Sequence, residues 1–111
     1  MTVKDLIDKK WYKVINEGDE TDREIGKVFC CDLLSIAMGK APADCAWVTV
    51  MGNINTLAVA TLADAAVVIL AENAALDENA TAKAEQQGVC VLATDMPIFD
   101  AALMIHEALN A

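Results

Sequence analysis

Three stretches of the chain, residues 46–51, 66–70 and 89–93, are apolar with little alternation and rich in β-branched side chains. A strand that is apolar on both faces must be covered on both, which is the situation of a parallel sheet between helical layers. Between the first two runs, Ile54, Leu57, Ala58, Thr61 and Leu62 recur at helical spacing. Between the second and third, the polar, alanine-containing stretch 77–87 reads as a helix that Gly88 ends. Beyond the third run, Pro97 suits the first turn of a last helix, whose inner stripe is Ile98, Ala102, Ile105 and Leu109.

The first 45 residues are less regular. Thr2 followed by Asp5 predicts a capped short helix with Val3, Leu6 and Ile7 as its apolar positions. Residues 11–15 read as a strand, 16–22 as a turn around Gly18, and 25–30 as a second short strand. Asp32 is placed to cap a helix over 33–38 that Gly39 would end, with Pro42 in the following loop. Strands alternating with helices define an α/β fold with right-handed crossovers. The expectation is a three-layer sandwich around a mainly parallel sheet, with a short N-terminal helix and strand extension. At 111 residues the chain is one domain, residues 1–111, with 56% hydrophobic residues to fill one core.

Charge narrows the partners. Seventeen acidic against eight basic residues give a net charge of −9, which repels nucleic acid and anionic membrane surfaces. The acidic residues concentrate in 19–24 and 77–85, as suits solvated turns and one exposed helix face. Residues 1–10 are charged and amphipathic without the apolar run of a signal peptide. The longest apolar run, 65–71, is far short of the ~20 residues that cross a bilayer. A cytoplasmic protein is expected, and its four cysteines are then thiols. Cys30 and Cys31 are adjacent, Cys45 and Cys90 stand alone, and no C-x-x-C pair or Cys/His cluster occurs. Consecutive strand residues point to opposite faces, which favours buried structural thiols over a redox or Fe–S role. No cofactor or metal is expected.

Open parallel sheets bind ligands beyond the carboxyl ends of their strands, where helix N-termini offer free N–H groups. The candidates at those positions are Gly52, Asn53, Asn55 and Thr56, then Glu72 and Asn73, then Thr94 and Asp95. Helix capping and tight turns account for the same residue types, so the sites and the caps compete for these letters. Phosphate-loop, dinucleotide and nucleophile-elbow motifs are missing. Ser35, the sole serine, falls inside a helix, and His106 falls near the end of the last one, where a cation suits the helix dipole. Asp19 and Asp22 lie in a turn where nothing would desolvate them.

The segment TVKDLI at 2–7, then Val14, Ile15, Asn16, Glu17 and Gly18, then Thr21, Asp22, Arg23, Glu24 and Ile25, resembles the opening of the DRTGG-domain family. It is also similar to the N-terminal, non-catalytic domain of HPr kinase/phosphorylase. Cys31, Asp32, Leu33, Leu34 and Ser35 with Met38 and Gly39 resemble the D-L-L-S-x-x-M-G stretch of small stand-alone members. Ala84, Glu85, the run Gly88 to Thr94 and Phe99 resemble the family's last strand and helix, so the likeness spans the chain. The resemblance implies an α/β regulatory or spacer module of the kind found beside pyrophosphatases, phosphotransacetylases and HPr kinases. It implies a protein partner in anaerobic or redox metabolism and no phosphate-loop kinase activity. The sequence departs from the family at Lys27 and Val28, where relatives carry glycines. Gly52, Asn53 and Ile54 replace G-D-R, and Ala71, Glu72 and Asn73 replace T-G-G.

The reading that follows is a non-catalytic regulatory or ligand-sensing module, acting through a small anionic or nucleotide ligand, a protein partner, or both. A small enzyme working at the polar strand-end edge and a purely structural homo-oligomer are the alternatives. A homodimer is expected, because the helix from Ile54 carries Ala58, Val59, Ala60, Leu62 and Ala63 nearly all round its surface.

Overall fold

Thr2 starts the first helix as its sequence predicts. In the computed structural model, its hydroxyl accepts a hydrogen bond from the Asp5 amide at 3.0 Å, while the Asp5 carboxylate accepts one from the Thr2 amide at 2.9 Å. This reciprocal cap holds α1 (Val3–Asp8) and keeps the Asp5 carboxyl below its ordinary range. The chain continues through β1 (Lys13–Asn16), β2 (Val28–Cys30), α2 (Leu34–Lys40), β3 (Ala46–Thr49), α3 (Ile54–Ala63), β4 (Val67–Leu70), α4 (Glu78–Gln87), β5 (Val91–Ala93) and α5 (Ile98–Leu109).

The five strands form one sheet in the order β1-β5-β4-β3-β2, parallel except where β1 runs antiparallel along β5. Three successive right-handed crossovers between neighbouring strands carry their helices to one face. There Ala37 of α2, Leu57 and Ala60 of α3, and Ala80 and Ala84 of α4 pack with Trp47, Val68, Leu70 and Val91. The opposite face joins Val48, Ile69 and Leu92 to Val3 and Leu6 of α1 and to Ala101, Ala102 and Ile105 of α5. Residues of β3 and β4 alternate between the two cores and all are buried, so the fold is the α/β sandwich with both sheet faces covered.

The irregular half departs from its sequence reading in particulars. The first strand begins at Lys13 instead of residue 11, and its Asn16 amide group donates to Val89 O at 2.8 Å and to Ala84 O at 3.1 Å. The second strand is confined to Val28–Cys30, because Ile25 N donates to Met1 O and Gly26 N to Asp44 O instead of extending the ladder. Asp32 does not cap α2; Leu33 occupies that position without a side-chain cap, and α2 runs through Gly39 to Lys40. Pro97 precedes α5 at its cap instead of sitting in its first turn. Of the cysteines only Cys45 and Cys90 are buried; Cys30 is exposed and Cys31 half-buried, which corrects the expectation of four interior thiols.

Arg23 ties the N-terminal segment to the rest. Its guanidinium reaches Asp44 at 2.7 Å, Asp64 at 3.0 Å and Glu20 at 3.3 Å, a fork between three carboxylates that lysine could not reproduce. Asp44 and Asp64 both adopt left-handed backbone conformations. Tyr12 is also buried and donates its hydroxyl to Ala101 O at 2.7 Å, joining the strand extension to α5.

Candidate functional site

All eight sequence candidates fall at the carboxyl edge of the sheet, but in two groups with different fates. The first group surrounds the start of α3. Asn53 accepts from the amides of Asn55 and Thr56 at 2.9 and 3.1 Å, so its side chain is committed to the cap. Gly52 lies directly against the Ala75 backbone, where a Cβ would collide, and its carbonyl accepts from Asp77 N at 3.1 Å. Thr56 is fully buried, and its hydroxyl has no hydrogen-bond partner. Asn55 is exposed. These four residues build the β3–α3 turn and its packing.

The second group comes together. Asn73, Thr94 and Asp95 line one open depression of about 340 Å³ with Ala93 and with two residues of the N-terminal extension, Trp11 and Lys13. β5 supplies one wall through its last residue and the loop beyond it; antiparallel β1 brings the other, since Lys13 pairs with Ala93. Glu72 is exposed beside this group without lining it.

The loops that carry these side chains are tied to each other by backbone. Asn73 N donates to Thr94 O at 2.9 Å, Glu72 N to Met96 O at 2.9 Å, and Thr94 N to Leu70 O at 2.9 Å. The Thr94 hydroxyl accepts from Met96 N at 3.2 Å. Glu72 and Asn73 both hold left-handed conformations, with φ of 57° and 59°. Two successive L-residues there carry a steric cost of ~1–2 kcal/mol each. The network of three amide bonds is what keeps the turn in that shape.

Electrostatically the depression departs from the chain around it. Lys13 forms no ion pair, and Lys9 places its ammonium 4.9 Å from the centre of the Trp11 ring. Lys9 thus lies over Trp11, and Lys13 lines the depression with it, on a chain of net charge −9. Asp95 supplies the one carboxylate of the lining. The arrangement offers an aromatic wall, a cation, an amide and a carboxylate to one small ligand. Trp11 and Lys13 were not among the sequence candidates, because the partner of an edge strand is not written into its local pattern. The signal that could have found them is the lysine-rich run around a tryptophan in an acidic chain.

His106 lies elsewhere, on the last turn of α5 beside Gly26, Lys27 and Val28. No helix is long and apolar enough to cross a membrane. Comparison with protein-family models and with curated proteins finds no match to this chain.

Proposed function

We propose that this chain is a cytoplasmic regulatory module of the DRTGG type that binds a small anionic ligand bearing a planar ring, with nucleotides the first class to test. The observation that carries the reading is the meeting of Trp11 and Lys13 with Asn73, Thr94 and Asp95 in one depression. A planar ring stacks on an aromatic wall, an anionic group pairs with an otherwise unpartnered lysine, and an amide reads a heterocycle edge. The loops are held in place by backbone hydrogen bonds, so binding costs little reordering. The family resemblance gains support from the turn at Ala71, Glu72 and Asn73. Relatives carry T-G-G there, and the left-handed conformations at 72 and 73 are the ones glycine adopts without strain. The role is binding in service of a partner protein, as for regulatory domains beside metabolic enzymes.

A thermal-shift screen of nucleoside mono-, di- and triphosphates tests the reading, since a ligand at 100 times its Kd adds about 2.7 kcal/mol. The expected hit shifts the melting of the parent chain, not that of Lys13→Glu or Trp11→Ala, while Lys83→Glu on α4 leaves the shift intact. A hit that survives both site variants refutes the site, and chemical turnover of the hit by purified protein refutes the non-catalytic role.

A further inference from the structure

We infer that the open edge of β2 takes up the free carboxyl terminus of a partner protein as an extended strand, antiparallel to β2, with its terminal carboxylate at Lys27 and His106. β2 is the last strand of the sheet, with β3 on one side and no strand on the other. The Ala46 amide donates to Lys27 O at 2.8 Å, so the Lys27 carbonyl faces β3. Backbone groups alternate in direction along a strand, which turns the N–H and C=O of Val28 and Cys30 outward. Cys30 is exposed and Val28 and Phe29 are half-buried, so this edge meets solvent. The strand carries no charge and no proline to block pairing. A row of unpaired N–H and C=O groups of this kind is a template for one more strand.

The start of the edge selects which end of a peptide arrives there. A depression of about 370 Å³ is lined by Gly26, Lys27 and Val28 and, at the end of α5, by His106, Leu109 and Asn110. Lys27 forms no ion pair, and no carboxylate lines the depression, on a chain of net charge −9. Asp44, whose carbonyl accepts from Gly26 N, has its carboxylate on Arg23 at 2.7 Å. The Asn110 amide nitrogen donates to His106 O at 2.8 Å and faces His106 Nδ1 at 3.4 Å. An amide nitrogen only donates, so Nδ1 accepts and the neutral ring carries its proton on Nε2. His106 therefore brings a donor, and Lys27 a cation, to one anion. The ladder also stops here, because Ile25 N and Gly26 N turn to Met1 O and Asp44 O. A strand added antiparallel reaches this point with its carboxyl end and has no edge to follow further. Val28 and Leu109 give an apolar wall to its last side chain. The negative charge of the rest of the chain excludes tails with acidic side chains. This surface lies at the amino end of the parallel strands, away from Trp11 and Lys13, and does not rest on the ligand proposed above.

Fluorescence anisotropy tests this with fluorescein-labelled peptides of alternating threonine and apolar residues, ending in a free valine, leucine, isoleucine or phenylalanine carboxylate. At least one is expected to bind, and its carboxamide twin at least tenfold more weakly. Lys27→Glu should weaken the free acid by a similar factor with an unchanged melting transition, since Lys27 is exposed, while Lys83→Glu on α4 keeps the parent's binding. Methylating the backbone nitrogens of one alternate set of peptide residues blocks the ladder without altering the protein, and should abolish binding where the other set does not. Hydrogen exchange at the Val28 and Cys30 amides should slow in the complex. A carboxamide that binds as tightly as the acid, or equal effects of Lys27→Glu and Lys83→Glu, overturns the carboxylate site. Binding indifferent to methylation of either set overturns strand addition. The inference also fails if none of the peptides binds, or if the two amides become protected with rising protein concentration alone, which would give the edge to a second copy of this chain. The nucleotide screen reads the other end of the sheet, so either result stands without the other.

Discussion

The Asp32 carboxylate accepts a hydrogen bond from the Thr49 hydroxyl at 2.7 Å, joining the end of one parallel strand to the end of the next. The same oxygen accepts from Val50 N at 2.9 Å, so the β2–α2 turn and the β3–α3 turn are fixed relative to one another. Thr49 is fully buried. Removing its partner leaves an interior hydroxyl with only the weaker contact from Met51 N at 3.2 Å. Asp32→Ala should therefore cost ~1–2 kcal/mol, read as a lower denaturant midpoint at unchanged slope. Asp32→Asn keeps an acceptor oxygen and should retain most of that stability. Equal losses for both variants would show that charge, not the hydrogen bond, is what matters at this position.

The left-handed pair at Glu72 and Asn73 gives a prediction of opposite sign. Glycine at 72 removes the steric cost of φ 57°, of ~1–2 kcal/mol, and adds back about half of it through the greater freedom of the unfolded chain. Glu72→Gly should raise stability by ~0.5–1 kcal/mol and leave ligand shifts unchanged, because Glu72 does not line the depression. Glu72→Val, which is β-branched and resists this conformation, should lower stability. Calorimetric melting of the two variants against the parent separates these outcomes.

The parts of the fold that were legible share one property, locality. The buried runs of β3, β4 and β5, the caps at Thr2 and Asn53, and the left-handed Gly88 that ends α4 all follow from a few neighbouring letters. What was not legible depends on residues far apart in the chain. Asp32 has the right type and spacing for a helix cap, but Thr49 and Val50, brought near by the parallel pairing of β2 with β3, compete for it and win. Ile25 and Gly26 read as strand, yet their amides find Met1 O and Asp44 O. Half of the candidate site was legible for the same reason. Asn73, Thr94 and Asp95 follow from the rule about carboxyl ends of strands, whereas Trp11 and Lys13 arrive through an antiparallel edge pairing that no local pattern announces.

Thr56 tests whether its buried hydroxyl does anything for the fold. The hydroxyl is sealed in the first turn of α3 without a partner, a desolvation cost of ~1–3 kcal/mol with no return. Valine has the same shape and nearly the same helix propensity. Thr56→Val should raise stability by ~1 kcal/mol or more in chemical denaturation, while Thr56→Ser, which keeps the hydroxyl and loses a methyl, should lower it. A valine variant less stable than the parent would mean that the hydroxyl is satisfied in solution by a group such as a trapped water.

The last prediction concerns alkaline pH and follows from protons that the fold holds. Burial pushes the Cys45 thiol up to about 11 and the Cys90 thiol up to about 12, both from an ordinary 9.0. Burial likewise pushes the Tyr12 hydroxyl up to about 12 from 10.0. In each case the folded chain keeps a proton that the unfolded chain releases at lower pH. The native state then binds more protons than the unfolded one above about pH 9, and stability falls as pH rises. Below pH 9 the contribution of all three groups is fully present; the thiol part is lost from there upward, and the Tyr12 part joins from pH 10 towards 12. Each group that stays protonated only in the folded chain costs about 1.4 kcal/mol for every pH step of one, so the combined loss by about pH 11 is on the order of several kcal/mol. Denaturant midpoints measured from about pH 8 to about pH 11 check the profile. Cys90→Ala should flatten its lower part, Tyr12→Phe only the part above the ordinary tyrosine value of 10.0. In the same series, thiol reagents should label exposed Cys30 and half-buried Cys31 in the native protein and reach Cys45 and Cys90 only as the fold opens. A midpoint that stays level across this range would sink the argument, because it would mean that these protons leave without unfolding the chain.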